Sequence, residues 1–190
     1  LGRDLEDYVA KRFTEATGKK VRRENFLITN PQYPFAHANV DRMVVGEDAG
    51  LECKTTSVLN LKKFKNGEYP ANYYVQCVHY MAVTGADRWY LAVLVLGKGL
   101  YTFVLERNQE EIDALMAAER DFWELVKKDT PPDLDGLEAT GAALQAIYPA
   151  SSGSSIQLYG RESMLNEYFS LRREAQQLEE RMEQIVNTIK

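Results

Sequence analysis

Cysteine is scarce: Cys53 and Cys77 are the two present in 190 residues. They lie in apolar stretches with no paired spacing, which suggests neither a disulfide framework nor a zinc or iron–sulfur cluster. No apolar run approaches the roughly 18 to 20 residues that a membrane span needs. The start lacks a basic segment followed by an apolar one, so no secretory leader is expected. A reducing, cytoplasmic setting away from membranes fits these absences. Positive charge is also in short supply, the net charge being −5, which at first argues against a protein that grips phosphates. The distribution of charge weakens that objection. Up to Asp129 there are 18 basic and 19 acidic residues, against 5 and 9 from Thr130 onward, while Lys19 to Arg107 holds 12 basic and 8 acidic. The acidity therefore belongs mainly to the tail. Because the chain opens on Leu1, some upstream sequence is expected to be missing.

What is present is ample material for a core: 45% hydrophobic residues and 11% aromatics. Leu5, Tyr8, Val9, Phe13 and Ala16 form a helical stripe that Gly18 ends, predicting a helix from Asp4 to Thr17. Val21 to Ile28 reads as a strand broken by the turn residues Asn30 to Pro34. Val40 to Val45 and Leu51 to Thr55 flank a polar turn and read as a hairpin, followed by a lysine-rich loop from Lys62 to Gly67. A helix from Ala71 to Thr84, a second hairpin from Arg88 to Leu96 and Leu100 to Leu105, and a helix from Asn108 to Lys128 complete a mixed α/β domain. The expected organisation is a domain over 1–130, a Gly, Ala, Ser and Pro-rich linker over 131–160, and a helix over 161–190. In that last helix Tyr168, Leu171, Ala175, Leu178, Met182, Ile185 and Ile189 alternate at spacings of three and four, a heptad seam that needs a partner surface.

The chemistry is carried by Asp41 and by the Leu51-Glu52-Cys53-Lys54-Thr55 segment. Residues two apart on a strand share a face, so Glu52 and Lys54 project together and Cys53 turns to the opposite, core side. The hairpin brings Asp41 beside them. Two converging carboxylates repel unless a cation lies between them, and hard oxygen ligands suit Mg²⁺, with Mn²⁺ as the alternative. Such a cation polarises a phosphodiester and lowers the pKa of a bound water, and Lys54 is placed to orient that water or neutralise developing charge. A Glu-x-Lys triplet arises by chance roughly once per 300 residues and is usually a solvated ion pair. Its setting in an otherwise apolar strand argues for more, since an unpartnered buried acid and lysine cost several kcal/mol.

The run from Leu5-Glu6 through Thr17-Gly18-Lys19-Lys20-Val21, then Tyr33 to Arg42, then Leu51 to Thr55, then Gln76 with Tyr80, resembles the YqaJ-type viral recombinases. These group with lambda exonuclease in the PD-(D/E)xK nuclease superfamily, and the resemblance covers about residues 1 to 106. It implies a restriction-endonuclease-like α/β core, a mixed central sheet flanked by helices, here with a long C-terminal helix added. It implies metal ligation by Glu6, Asp41, Glu52 and the Cys53 carbonyl, catalysis by these carboxylates with Lys54, and a supporting Gln76 in a Gln-x-x-x-Tyr pattern. Val40 stands where the superfamily's name has proline, a common variation. Residues that receive a 5′ phosphate in such enzymes lie upstream of Leu1. The implied activity is hydrolysis of linear double-stranded DNA from its ends, 5′ to 3′, in phage or prophage recombination. The implied partners are DNA ends, a single-strand annealing protein and further copies of the chain, the lambda-type enzymes being rings of three. The heptad tail has no counterpart in the lambda enzyme.

Other residues carry less. His37 is expected to hydrogen-bond structurally rather than touch phosphate, and His79 to pack or face solvent. Glu15, nine residues beyond Glu6, faces the other side of its helix, so only one of the two reaches the site. Trp89, Tyr90 and Tyr101 are expected in the core. Lys62, Lys63 and Lys65 are candidates for the DNA backbone. Two rival readings stand beside the exonuclease: a structure-specific or restriction-like endonuclease with the same metal site, and a non-catalytic DNA-binding or assembly module.

Overall fold

The first helix, α1 (Gly2–Thr17), buries a narrower stripe than its sequence suggests: Val9, Ala10 and Phe13 are buried, while Tyr8 and Ala16 are exposed. Gly18 ends it at a φ of 74° with its N–H on the Thr14 carbonyl, a left-handed conformation that glycine adopts without steric cost. The computed structural model describes residues 2–64, 66–151, 153–155 and 157–189, and the chain divides into two units, Leu1–Asp133 and Leu134–Lys190.

In the first unit α1 is followed by β1 (Val21–Arg23), β2 (Ile28–Thr29), β3 (His37–Ala38), β4 (Arg42–Val44) and β5 (Ala49–Thr56). A 3-10 helix (Val58–Phe64) leads to α2 (Ala71–Thr84), β6 (Arg88–Val95), β7 (Gly99–Glu106) and α3 (Gln109–Lys127). The main sheet has the order β1-β4-β5-β6-β7, with β5 and β6 parallel and the other neighbours antiparallel. Returning from β5 to a parallel β6 requires a crossover, which the 3-10 helix and α2 supply. The strand expected over Val21 to Ile28 is split, because β4 offers β1 three partners and no more. Beyond Arg23 the chain leaves the sheet, and Ile28 pairs instead with Ala38 in a separate two-stranded ribbon.

β6 lies inside the sheet and is buried at seven of its eight residues, Trp89 to Val95, as expected of a strand covered on both faces. One face packs α1 through Phe13 on Tyr90, whose rings lie 5.4 Å apart. The other packs α2 and α3 through Val78, Met81, Trp89, Ile112 and Met116. Tyr101 is half-buried there. Asn108 caps α3 by accepting from the backbone N–H groups of Glu110 and Glu111. Phe122 and Val126, spaced four apart on α3 as one apolar face would be, are 56% and 48% exposed. At 19 residues α3 outruns the 14-residue α2 it lies against. The lysine-rich segment is not an irregular loop. Its 3-10 helix buries Phe64, which stacks on Tyr73 with ring centroids 6.3 Å apart.

The second unit contains α4 (Glu138–Ile147) and α5 (Glu162–Ile189), neither with a buried residue. α4 lies within the span expected to be a linker. Its helix is favoured by alanine content and by Asp135, whose carboxylate accepts from the Leu137 N–H at 3.0 Å and the Thr140 hydroxyl at 2.6 Å. Among the described residues no helix is long and apolar enough to cross a membrane.

Two expectations for stability follow. A Cβ on Gly50 would lie 2.1 Å from the buried Trp89 ring, so Gly50→Ala should lower the unfolding free energy by about 2–3 kcal/mol in urea titrations. His79 joins α2 to α3 through Glu119, 2.8 Å from its Nδ1, and this bond raises its pKa above the ordinary histidine value. Stability from that pair is fully present below about pH 6.5 and is lost as pH rises through the raised value. Glu119→Gln should therefore lower the urea midpoint more at about pH 6 than at about pH 9. An equal loss at both would show that charge plays no part in the contact.

Candidate active site

The pairing of β4 with β5 ends at Arg42 opposite Leu51, whereas β5 runs on to Thr56 beside β6. From Glu52 onward one edge of β5 has therefore lost its β4 partner. Asp41, at the bend just before β4, occupies that edge, and its Oδ2 accepts from the Cys53 N–H at 2.7 Å. Because the N–H and C=O of one strand residue point to the same side, the Cys53 carbonyl faces that open edge too. The Cys53 side chain packs with the α1-side core cluster, as alternation requires.

Glu52 and Lys54 project to the other face, toward α2. Lys54 Nζ lies 2.5 Å from Glu52 Oε1 and donates to Gln76 Oε1 at 2.8 Å. Gln76 Nε2 donates to Glu52 Oε1 at 3.0 Å and to the Tyr80 hydroxyl at 2.7 Å. Tyr80 in turn donates to the Asn39 carbonyl at 3.3 Å, which ties α2 to the segment entering Asp41. Lys54 also stands over the Tyr73 ring, 5.2 Å from its centroid. Gln76 and Tyr80, four residues apart on one helix face, thus fix the orientation of the acid and the amine on β5.

Glu52 is 2% exposed, and its Oε2 is buried with no hydrogen-bond partner. Burial, then the charge of Asp41, pushes its pKa up to about 7 against the opposing pull of Lys54. The Asp41 pKa is raised as well, by burial first, against the lowering effect of the Cys53 N–H, with Glu6 adding like charge. The arrangement holds negative charge under strain, which a cation would relieve. Two carboxylates and a backbone carbonyl are a hard donor set that fits Mg²⁺ or Mn²⁺.

Glu6, expected at the metal site, adds like charge at Asp41 and is itself paired with a cation. Its carboxylate is paired with Arg42, a residue 4% exposed, whose Nη1 also donates to the Asp41 carbonyl and whose Nη2 reaches Asp7 Oδ1 at 2.6 Å. Asp7 receives Arg23 at 2.5 Å as well. Among the described residues no group of three or more His, Cys, Asp or Glu side chains stands ready to hold an ion. Glu6 shares the Arg42 guanidinium with the Asp41 carbonyl and adds like charge at Asp41. Sequence reasoning does not single out Arg42, and the one available signal is an arginine at the head of the otherwise apolar Met43-Val44-Val45 run.

The remaining residues fall away from the centre. Glu15 is exposed and paired with Lys11 and Arg12. His37 is exposed in β3, and its backbone carbonyl lies 3.1 Å from His79 Nε2. Lys62 and Lys63 are exposed on the 3-10 helix that directly follows β5. Lys65 lies outside the described residues.

The YqaJ-like viral recombinase domain matches residues 1–87. The chain is 39% identical over 195 residues to the uncharacterized protein YqaJ of Bacillus subtilis (strain 168), a match covering all of this chain and 61% of that protein. The chain thus spans about three-fifths of that relative's length. LHK-Exo in complex with dAMP superposes with a TM-score of 0.57 at 23% identity, over 75% of this chain and 73% of that one. The alkaline exonuclease LHK-Exo from Laribacter hongkongensis gives 0.51 at 23% identity over 67% and 71%. A phage related exonuclease from Haemophilus somnus 129PT gives 0.51 at 14% identity over 67% and 70%. At these identities the likeness is one of fold, and that fold is the PD-(D/E)xK type, a five-stranded mixed sheet flanked by helices. Over its first 87 residues the chain is similar to the YqaJ-like viral recombinase domain, and along its whole length to the YqaJ protein of Bacillus subtilis.

Proposed function

We propose that the chain is a divalent-cation-dependent deoxyribonuclease that hydrolyses phosphodiester bonds from the ends of linear double-stranded DNA. The observation that carries this reading is the juxtaposition of Asp41 and Glu52 around a buried, unpartnered carboxylate oxygen, with the Lys54 amine alongside. Asp41, Glu52 and the Cys53 carbonyl would hold Mg²⁺, or Mn²⁺, and Glu6 would tune the first of them through Arg42. When bound, such a cation polarises the scissile phosphate and lowers the pKa of a coordinated water.

The protein's own groups do the rest. Lys54 has three N–H donors, of which Glu52 and Gln76 take two, leaving one for the attacking water or a phosphate oxygen. Its ammonium opposes the negative charge that builds on phosphorus-bound oxygens as the bond to water forms. Gln76 is a positioning residue. With its amide nitrogen committed to Glu52 and Tyr80, its carbonyl must face Lys54, so the amine cannot swing away. Lys62 and Lys63 are suited to the DNA backbone beside the strand that carries the acids. The 5′ to 3′ direction, the annealing partner and a role in phage-type recombination follow from the family resemblance.

Cation binding is tested apart from activity by thermal unfolding. At a hundredfold excess over Kd, Mg²⁺ or Mn²⁺ should stabilise the wild-type chain by about 2.7 kcal/mol, raising Tm by roughly 10 °C. Asp41→Asn should lose that rise, and an unaltered rise in the variant would move the ion elsewhere. Digestion of linear duplex should stop in EDTA and fall by about 10²–10³ in Asp41→Ala or Lys54→Ala, but by only about 10–100-fold in Gln76→Ala. Degradation of covalently closed circles at the same rate would instead make the enzyme an endonuclease. Full activity in Asp41→Ala would end the enzymatic reading.

A further inference from the structure

α5 carries its apolar seam in the open. Leu178 is 65% exposed and Met182 59%, and the helix has no buried residue. With Tyr168, Ala175 and Met182 as a positions, Leu171, Leu178 and Ile185 become d positions of three successive heptads. The flanking residues then decide what can cover the seam. At e stand Arg172, Glu179 and Val186, and at g stand Glu167, Glu174 and Arg181.

A parallel pair of α5 helices brings each g residue near the e residue five positions on. Glu167 would meet Arg172 favourably, but Glu174 would meet Glu179 twice, once on each side. Parallel pairing also sets each a residue against itself, so Ala175 would face Ala175 across one layer and Tyr168 would face Tyr168 across another, a void beside a crowd. An antiparallel pair centred between Gln176 and Gln177 has neither fault. Ala175 packs on Leu178, small against large, and Leu171 on Met182. Tyr168 meets Ile185, and at the ends Met164 meets Ile189. In antiparallel pairs g flanks g and e flanks e. Glu174 therefore opposes Arg181 and Arg172 opposes Glu179, each twice by symmetry, while Leu165 adjoins Val186. Sliding one helix by a heptad in either direction breaks this: one slip sets Glu174 against itself and Arg172 against itself, and the other sets Arg181 against Arg181 and Glu179 against Glu179.

We propose that α5 is the surface through which two copies of this chain associate, the helices antiparallel and centred on Gln176–Gln177. The interface is isologous, each copy presenting the same seam, and it closes as a two-fold dimer. It depends on the layer and charge pattern of α5 and stands apart from the chemistry of the β5 site.

Sedimentation equilibrium of the full 190-residue chain tests it. The wild type should sediment as a reversible dimer. Glu174→Arg places arginine against Arg181 on both sides and should weaken the dimer by about tenfold, and Arg181→Glu should do the same. Combining the two should restore the wild-type affinity, with helix content by circular dichroism unchanged throughout. That rescue could not follow from damage to the helix itself. A monomer at every concentration overturns the proposal, as does a double variant no tighter than the single ones. Tighter association of Glu174→Arg overturns it too, because that substitution relieves the Glu174–Glu179 clash of the parallel arrangement.

Discussion

The structure is organised around a carboxylate in the wrong solvent. Glu52 sits at the middle of an interior strand pair where almost every neighbour is apolar, and one of its oxygens finds no protein donor. Leaving a charge so placed costs several kcal/mol unless something compensates. Lys54 and Gln76 compensate one oxygen only. The other oxygen is compensated by a proton, which the raised pKa of Glu52 favours, or by a cation, which is a physical reason to associate this site with cation chemistry. The surroundings read as supports for this one placement: α2 brings the amide, Tyr80 fixes that amide, and Asp41 closes the strand edge next door.

Behind the acidic pair is a second layer of charge. Arg42 is buried between β4 and α1 and binds Glu6, Asp7 and the backbone of Asp41 at once. An arginine so deeply placed is tolerable because its fork is filled by acceptors. The guanidinium thereby links the first helix to the peptide that carries Asp41. It also supplies a positive charge opposing the mutual repulsion of Asp41 and Glu52. An acid on α1 thus shares a cationic partner with the peptide that carries Asp41.

Much of this can be read from the residues. The alternation of Leu51 to Thr55 puts Glu52 and Lys54 on one face and Cys53 on the other, and it does so in the fold. α2 falls where its pattern predicts, from Ala71 to Thr84, and both hairpins form. What escapes depends on partners that local sequence does not name. The strand begun at Val21 stops when β4 runs out of residues to pair with. Phe122 and Val126 have the spacing of core positions but are 56% and 48% exposed. Glu6 is singled out by its place in the family pattern, while the arginine that engages it lies 36 residues away. Pattern tells which face a side chain takes; competition for that side chain is settled by tertiary contacts.

The notch where Trp89 lies against Gly50 has a bearing on chemistry as well as packing. Those two residues are opposite one another in the parallel ladder, and an indole fits there only above a residue without a side chain. Sliding β5 by one position would bring Leu51 or Ala49 under the ring, and would rotate the acid toward α1 while presenting a thiol to α2. The glycine and the tryptophan thus act as a key and its slot, choosing which of two alternating faces becomes the reactive one.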